Sequence, residues 1–428
     1  MKLSHLFPGH DTTSLIFVLA LFSGTYAAAT QERKLEWRDN SPAYHPHLTR
    51  TAAIPTAAPT EWVHPGVFVD KQQLDYVSLK VLERAEPWSE AFSSMMAYNI
   101  STPTRTAKPQ AMVECGPTST PNLGCYDERE DSMAAYTNAL AWWITKRRQY
   151  AEKAIYYMDA WSGVLQGHNN SNAPLQAAWS AANWVRAGEI IRYSHAGWKQ
   201  KSVKAFEKML TDVYLPIIIG GNIQENGNWE LVMMESSLYI SIFTENPKVY
   251  ETAMSIFAQR VPAYIYLKSD GPLPVAARGI PNTPEAIISY WWNQSTFPID
   301  GITQESCRDF AHLSYGISSI SHIAETSRIQ GRDVWKTTDV SERIKAALEL
   351  HAPFETGDKS IPKWLCNGTI SRRMDPVVEP PYNALAFRLR ESMPATRKLV
   401  LQQRPAEIGE SEPLFIGFET VTNAENPF

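Results

Sequence analysis

An all-α protein is what this sequence predicts, on three observations. From Asp70 onward, apolar residues recur at helical spacing through about ten separate stretches. The connections between them are rich in Gly, Pro, Asn and Ser, as in Asn169-Asn-Ser-Asn-Ala-Pro174 and Asn226-Gly-Asn228. Strand-like alternation is scarce before the C-terminal tail. No helical motif repeats with a fixed period, which disfavours a simple solenoid.

In chain order, residues 1–29 read as a signal peptide. Lys2 is the positive region, Leu15-Ile-Phe-Val-Leu-Ala-Leu-Phe22 the apolar run, and Thr25–Thr30 the small-residue cleavage zone. That run is too short to span a bilayer, and no later one approaches the length required. Residues 30–62 are rich in Pro and Ala and read as an arm laid on the surface. A helix follows Asp70, its N-cap. Further helices are predicted over Asp131–Thr145, Tyr150–Leu165, Leu175–Tyr193, Val203–Tyr214, Asn228–Phe243 and Lys248–Tyr264. Pro284–Trp292, Thr303–Ile329 and Ser341–Leu350 complete the series. From Pro394 the chain reads as an extended segment folded back on a single domain, which is set at 63–405 with a tail at 406–428.

Charge and cysteines narrow the function classes. Lys and Arg total 40 against 45 Asp and Glu, so no electrostatic footprint for nucleic acid exists. A local bridge between Cys115 and Cys125 would close a turn-rich loop and leave Cys307 and Cys366 to pair, although three connectivities are open. The cysteine spacings do not suit zinc, and no metal or cofactor is expected. Sequons begin at Asn99, Asn169, Asn293 and Asn367. The chain is expected to be a secreted, extracellular monomer without a membrane or nucleic-acid partner.

Three polar clusters could carry chemistry. On the predicted Thr303–Ile329 helix, Glu305, Arg308, His312 and Tyr315 would share one face, within a sector of roughly 80°. A second cluster is Asn226-Gly-Asn-Trp-Glu230 with Glu235 and Tyr239, and a third is Gly167-His-Asn-Asn-Ser-Asn172. The plain alternatives are a polar network, an amphipathic helix with an Asn cap, and a glycosylated surface loop. If the clusters share a cleft, their amides, imidazoles, Arg, Glu and Tyr suit removal of a proton next to a carboxylate. That carboxylate must first be neutralised, and an acid must protonate the leaving oxygen. A Tyr does both when an Arg lowers its ordinary pKa of ~10. The chemistry is β-elimination on a uronic-acid polymer.

Cys115-Gly-Pro…Pro-Asn-Leu-Gly-Cys125, Asn226-Gly-Asn-Trp229 and Asp300-Gly-Ile-Thr-Gln-Glu-Ser-Cys-Arg-Asp-Phe-Ala-His312 resemble the alginate lyase domain superfamily. Ile323-Ala-Glu-Thr, Gln330-Gly-Arg-Asp-Val-Trp335, Met393-Pro and Arg404-Pro405 extend the likeness, which is nearest to polysaccharide lyase family 38. The resemblance implies an (α/α) toroid, an incomplete barrel of antiparallel helical hairpins, acting on alginate or β-1,4-glucuronan. It also implies Tyr315 as base and acid, supported by Arg308 and His312, with an acidic polysaccharide as substrate. The resemblance also places the neutralising role on Asn170 and Glu235, and Asn228, Trp229 and Glu305 are further candidate substrate-binding residues, Glu305 alternatively holding the helix in place. Where family 5 alginate lyases carry Asn-Asn-His, this chain has Asn169-Asn-Ser171, so His168 is expected to supply the imidazole. Two rivals stand beside this reading. One is a glycoside hydrolase of the same fold, drawing a carboxylate pair from Glu230, Glu235, Asp300 and Glu305. The other is a polyuronate-binding protein without catalysis.

Overall fold

Residues 53–405, 408 and 414–428 are described by the structure, a computed structural model. The predicted signal peptide, and the predicted arm as far as residue 52, lie outside them. Short strands β1 (Gly66–Val67) and β2 (Val69–Asp70) pair antiparallel and lead into α1 (Lys71–Leu82). Asp70 caps α1 as expected, and Gln73 returns the bond to the Asp70 N–H. Then come α2 (Trp88–Ala97), which periodicity did not pick out, β3 (Met112–Cys115), β4 (Asn122–Leu123), α3 (Cys125–Thr145) and α4 (Arg148–Ser162). β5 (Gly167–Asn169), α5 (Ala173–Arg192), α6 (Gln200–Met209), α7 (Leu215–Ile218), α8 (Gly227–Phe243), α9 (Pro247–Arg260) and α10 (Pro284–Tyr290) follow. The last helices are α11 (Phe310–Ile329), α12 (Val334–Thr337), α13 (Val340–Glu355), α14 (Glu379–Tyr382), α15 (Pro394–Gln403) and α16 (Glu419–Asn423).

The helices form two layers. α3 packs on α5, α5 on α8, and α8 on α11, making an inner wall; α4, α6 and α9 back it from outside. This is the expected (α/α) toroid. Small residues explain why the inner helices can lie so close. Ala134, Ala135 and Ala139 on α3, and Ala177, Ala178, Ala181 and Ala182 on α5, are fully buried. Ser314 and Ser321 on α11 are buried too, and their hydroxyls return to the carbonyls of Phe310 and Ile317 one turn back. A buried serine so bonded satisfies itself within its helix.

Charge is also buried at the centre. Arg186 of α5 donates to Glu235 of α8 at 2.7 Å, and His322 of α11 lies 2.9 Å from Glu235 and 2.8 Å from Glu419. All four side chains are fully buried. Glu419 belongs to the tail, and this corrects the expectation of an extended C-terminal segment. Pro394 opens α15, because its fixed φ and missing N–H suit the first helical position, where an extended segment was expected. Beyond it, Phe415, Ile416, Phe418, Val421 and Ala424 are buried, so the tail is part of the core.

Both expected disulfides form, Cys115–Cys125 and Cys307–Cys366. The first ties the end of β3 to the start of α3. β3 is the middle strand of three, antiparallel to β4 and parallel to β5, with Val113 opposite His168. That pairing holds the Asn169–Asn172 loop above the start of α5.

Candidate active site

The predicted Thr303–Ile329 helix begins only at Phe310. Asp309 is extended and caps it, its carboxylate accepting from the His312 N–H at 2.8 Å. Glu305 and Arg308 therefore stand on the preceding turn, not on the helix face that their spacing suggested. The Thr303 and Arg308 N–H groups are taken up within this turn by the Ser306 hydroxyl and the Glu305 carbonyl. Cys307 ties it to Cys366. The turn and the helix still bring the four residues into one neighbourhood, because Asp309 redirects the chain between them.

Glu305 is the buried hub. Its carboxylate accepts from Asn228 Nδ2 at 2.6 Å, the Asn228 N–H at 3.2 Å, Tyr264 Oη at 2.9 Å and Arg308 Nη1 at 2.9 Å. Burial pushes this carboxyl up, against the pull of Arg308. Burial and the Glu305 charge hold the Tyr264 phenol well above its ordinary range. Gln304 accepts from the Gly227 N–H and donates to Asn226. The turn thus caps the N-terminus of α8, where free N–H groups and the helix dipole favour a carboxylate. Asn226 holds the cap position, yet its side chain serves Gln304 instead of the helix.

Above the hub runs a row of partly exposed groups. Arg308, 23% exposed, lies 5.7 Å from the Trp292 ring. His312, 32% exposed, places Nδ1 2.8 Å from both oxygens of Asp309. Its ring meets that of Tyr315 edge-on at 5.4 Å, and Tyr315 in turn lies 6.3 Å from Phe415. The Asp309 carboxyl is lowered: burial acts against its charge, and the His312 imidazole and N–H outweigh it. An imidazole whose Nδ1–H is held by a carboxylate presents Nε2 outward. A phenol, an imidazole and a guanidinium in one row can bind an anion and move a proton beside it.

The other predicted site residues are placed differently. His168 is turned inward, its ring fully buried and 2.8 Å from Glu128, where Tyr214 also donates to that carboxylate. Glu235 is fully buried in the Arg186–His322 network, and Arg186 reaches Tyr239 as well. Neither His168 nor Glu235 lines an open wall. Asn228 is buried on Glu305, and Trp229 is half-buried against the core in the first turn of α8. Asn170 is exposed in its loop and donates to Glu114 at 3.2 Å. Of the carboxylates considered for hydrolysis, Glu230, Glu235 and Glu305 are each buried and paired with an arginine, and Asp300 accepts from the Lys268 N–H. Among the described residues no group of His, Cys, Asp and Glu is arranged to hold a metal ion. Sequence reasoning missed Asp309, Tyr264 and Trp292. An Asp three residues before a His at a helix start could have flagged the first.

Comparison with known proteins bears on this arrangement. An alginate lyase from Bacteroides ovatus superimposes with a TM-score of 0.51 at 13% identity, over 85% of this chain and 100% of that one. Alginate lyase A1-III, as a tyrosine-to-phenylalanine variant complexed with a tetrasaccharide, gives 0.52 at 14% identity over 80% of this chain and 89% of that one. At such identities the likeness is one of fold. No curated protein is similar enough to count as a match. The profile of the family described as Alginate lyase matches residues 80–361, well over half of the chain. With the helical toroid and the Arg308–His312–Tyr315 row inside the matched range, the chain belongs to the alginate lyase family of polysaccharide lyases.

Proposed function

We propose that the protein is a secreted lyase that cleaves a 1,4-linked polyuronate, alginate or β-1,4-glucuronan, by β-elimination. Tyr315 is the proton carrier. It takes the proton from C5 of the uronate and delivers one to the departing O4. The C5–H electron pair becomes the C4–C5 double bond as the C4–O bond breaks. Arg308 faces the developing negative charge, where preorganised donors act most strongly, and His312, held by Asp309, packs against Tyr315. Asn170 is the exposed amide available to the substrate carboxylate. Glu305, Asn228 and Tyr264 hold the turn from below.

One observation carries this reading: Tyr315, His312 and Arg308 stand in a single partly exposed row, with His312 oriented by Asp309. Secretion is supported by the two disulfides and by the exposure of all four sequon asparagines, Asn99, Asn169, Asn293 and Asn367. Among the described residues no helix is long and apolar enough to cross a membrane. The test is a panel of alginate, its separated blocks and β-1,4-glucuronan, followed by the ultraviolet absorbance of the new double bond. Tyr315→Phe is expected to abolish turnover on whichever polymer is cleaved while largely sparing binding. Full activity in that variant would overturn the assignment.

A further inference from the structure

Trp292 breaks a local rule. α10 ends at Tyr290, and the next turn closes through Trp292 N–H to Ser289 and Asn293 N–H to Ile288. Trp292 and Asn293 both lie in the left-handed region, with φ of 57° and 63°. Helix ends of this kind take Gly or Asn, because a bulky side chain there is strained. The indole is nevertheless 42% exposed, so the strain is not offset by full burial.

The turn is also held firmly. Gln294, buried next door, donates to the Thr296 and Trp364 carbonyls and accepts from the Cys366 N–H at 2.9 Å. Cys366 is bonded to Cys307, whose neighbour is Arg308. The bridge thus anchors the chain beside Arg308 directly and the chain beside Trp292 through the Gln294 hydrogen bond, and the two side chains lie 5.7 Å apart. Strain that the surroundings maintain at an exposed aromatic side chain marks a binding surface. An indole offers a flat apolar face to the C–H face of a pyranose ring, and Arg308 supplies a cation for the carboxylate of the same or the adjoining sugar.

We propose that Trp292 is the aromatic platform of a sugar subsite beside the reacting one, taking a further uronate ring of the polymer. The ligand class rests on the lyase reading above. Trp292→Gly is the informative variant, since glycine suits the left-handed backbone and removes the indole without a new strain. Binding of a saturated polyuronate oligosaccharide is measured by calorimetry in the Tyr315→Phe background, with and without Trp292→Gly. A Kd weakened about tenfold is expected, as for an aromatic contact worth about 1.4 kcal/mol, with Trp292→Phe recovering part of it. In the active enzyme KM should rise more than kcat falls. An unchanged Kd, or no binding by either protein, overturns the subsite. Binding that depends on Trp292 in a protein whose wild type makes no unsaturated product supports the subsite and refutes the lyase chemistry alone.

Discussion

Asp309 serves two ends that substitution can separate. Its carboxylate caps α11 through the His312 N–H and holds the His312 imidazole at 2.8 Å. Asp309→Ala removes both contacts. Asp309→Ser keeps a capping oxygen but is too short to hold the ring. Losing the cap costs about 1 kcal/mol, so Asp309→Ala should melt about 1–2 °C below Asp309→Ser in a chain of this length. Losing the hydrogen bond to the imidazole is worth about 1.5–3 kcal/mol, and the exposure of both partners, 24% and 32%, places it at the lower end. Both variants should therefore lose about tenfold in kcat/KM, read from the initial rate of ultraviolet absorbance. The pH dependence has a definite sign. His312 lowers the Asp309 carboxyl against burial, so its contribution is present above the ordinary carboxylate pKa of ~4 and lost as pH falls through the folded value. Acid should therefore destabilise the wild type more steeply than Asp309→Ser. A Ser variant with wild-type kcat/KM, or equal melting of the two variants, would refute the separation.

Two further predictions concern the interior. Tyr264 is wedged between Gly227 and Gly316, and a Cβ at Gly316 would collide with its hydroxyl. Gly316→Ala should lower the unfolding free energy, measured by denaturant titration, by about 1–3 kcal/mol, outweighing the ~1 kcal/mol that alanine contributes to a helix; a stabilised variant would show that Tyr264 can move away from Glu305. His322 is raised: burial acts against its charge, and Glu235 and Glu419 outweigh it, with Arg186 opposing them. Its contribution is complete below the unfolded value of ~6.5 and is lost as pH rises through the folded one. Stability should fall on that alkaline limb, and Glu419→Gln should flatten the slope in thermal unfolding across pH. An equal slope in the variant would show that Glu419 is not the partner that matters.

The toroid's inner helices were legible as long runs of apolar and small residues bounded by turn residues, since α5, α8 and α11 are buried on nearly every side. Periodicity failed at Thr303–Phe310 for a specific reason. Glu305, Arg308, His312 and Tyr315 happen to repeat at helical spacing, so a turn ending in a cap was indistinguishable from one more helical turn. Contact between Arg308 and Glu305 survived the error, since a tight turn also brings residues three apart together. His168 was expected to stand in for an imidazole missing from the Asn169-Asn-Ser171 stretch, and Glu235 to bind substrate by resemblance. Here each is matched by a buried partner on a helix distant in sequence, Glu128 or Arg186, and such pairing leaves no local trace. Trp292 was invisible for the opposite reason. Nothing in an aromatic-rich sequence separates an exposed indole from a buried one.

The tail's place in the core has a consequence for how the chain matures. Segment 414–428 leaves the ribosome after every helix it packs against. Until Glu419 reaches His322 and the Phe415 carbonyl reaches Arg186, the inner wall holds cationic groups that lack these partners. Domains form from the N-terminal side as synthesis proceeds. The native interior around Arg186 and His322 therefore needs segment 414–428 in place. The same segment sets Phe415 beside Tyr315, so packing of the proposed catalytic row also depends on it.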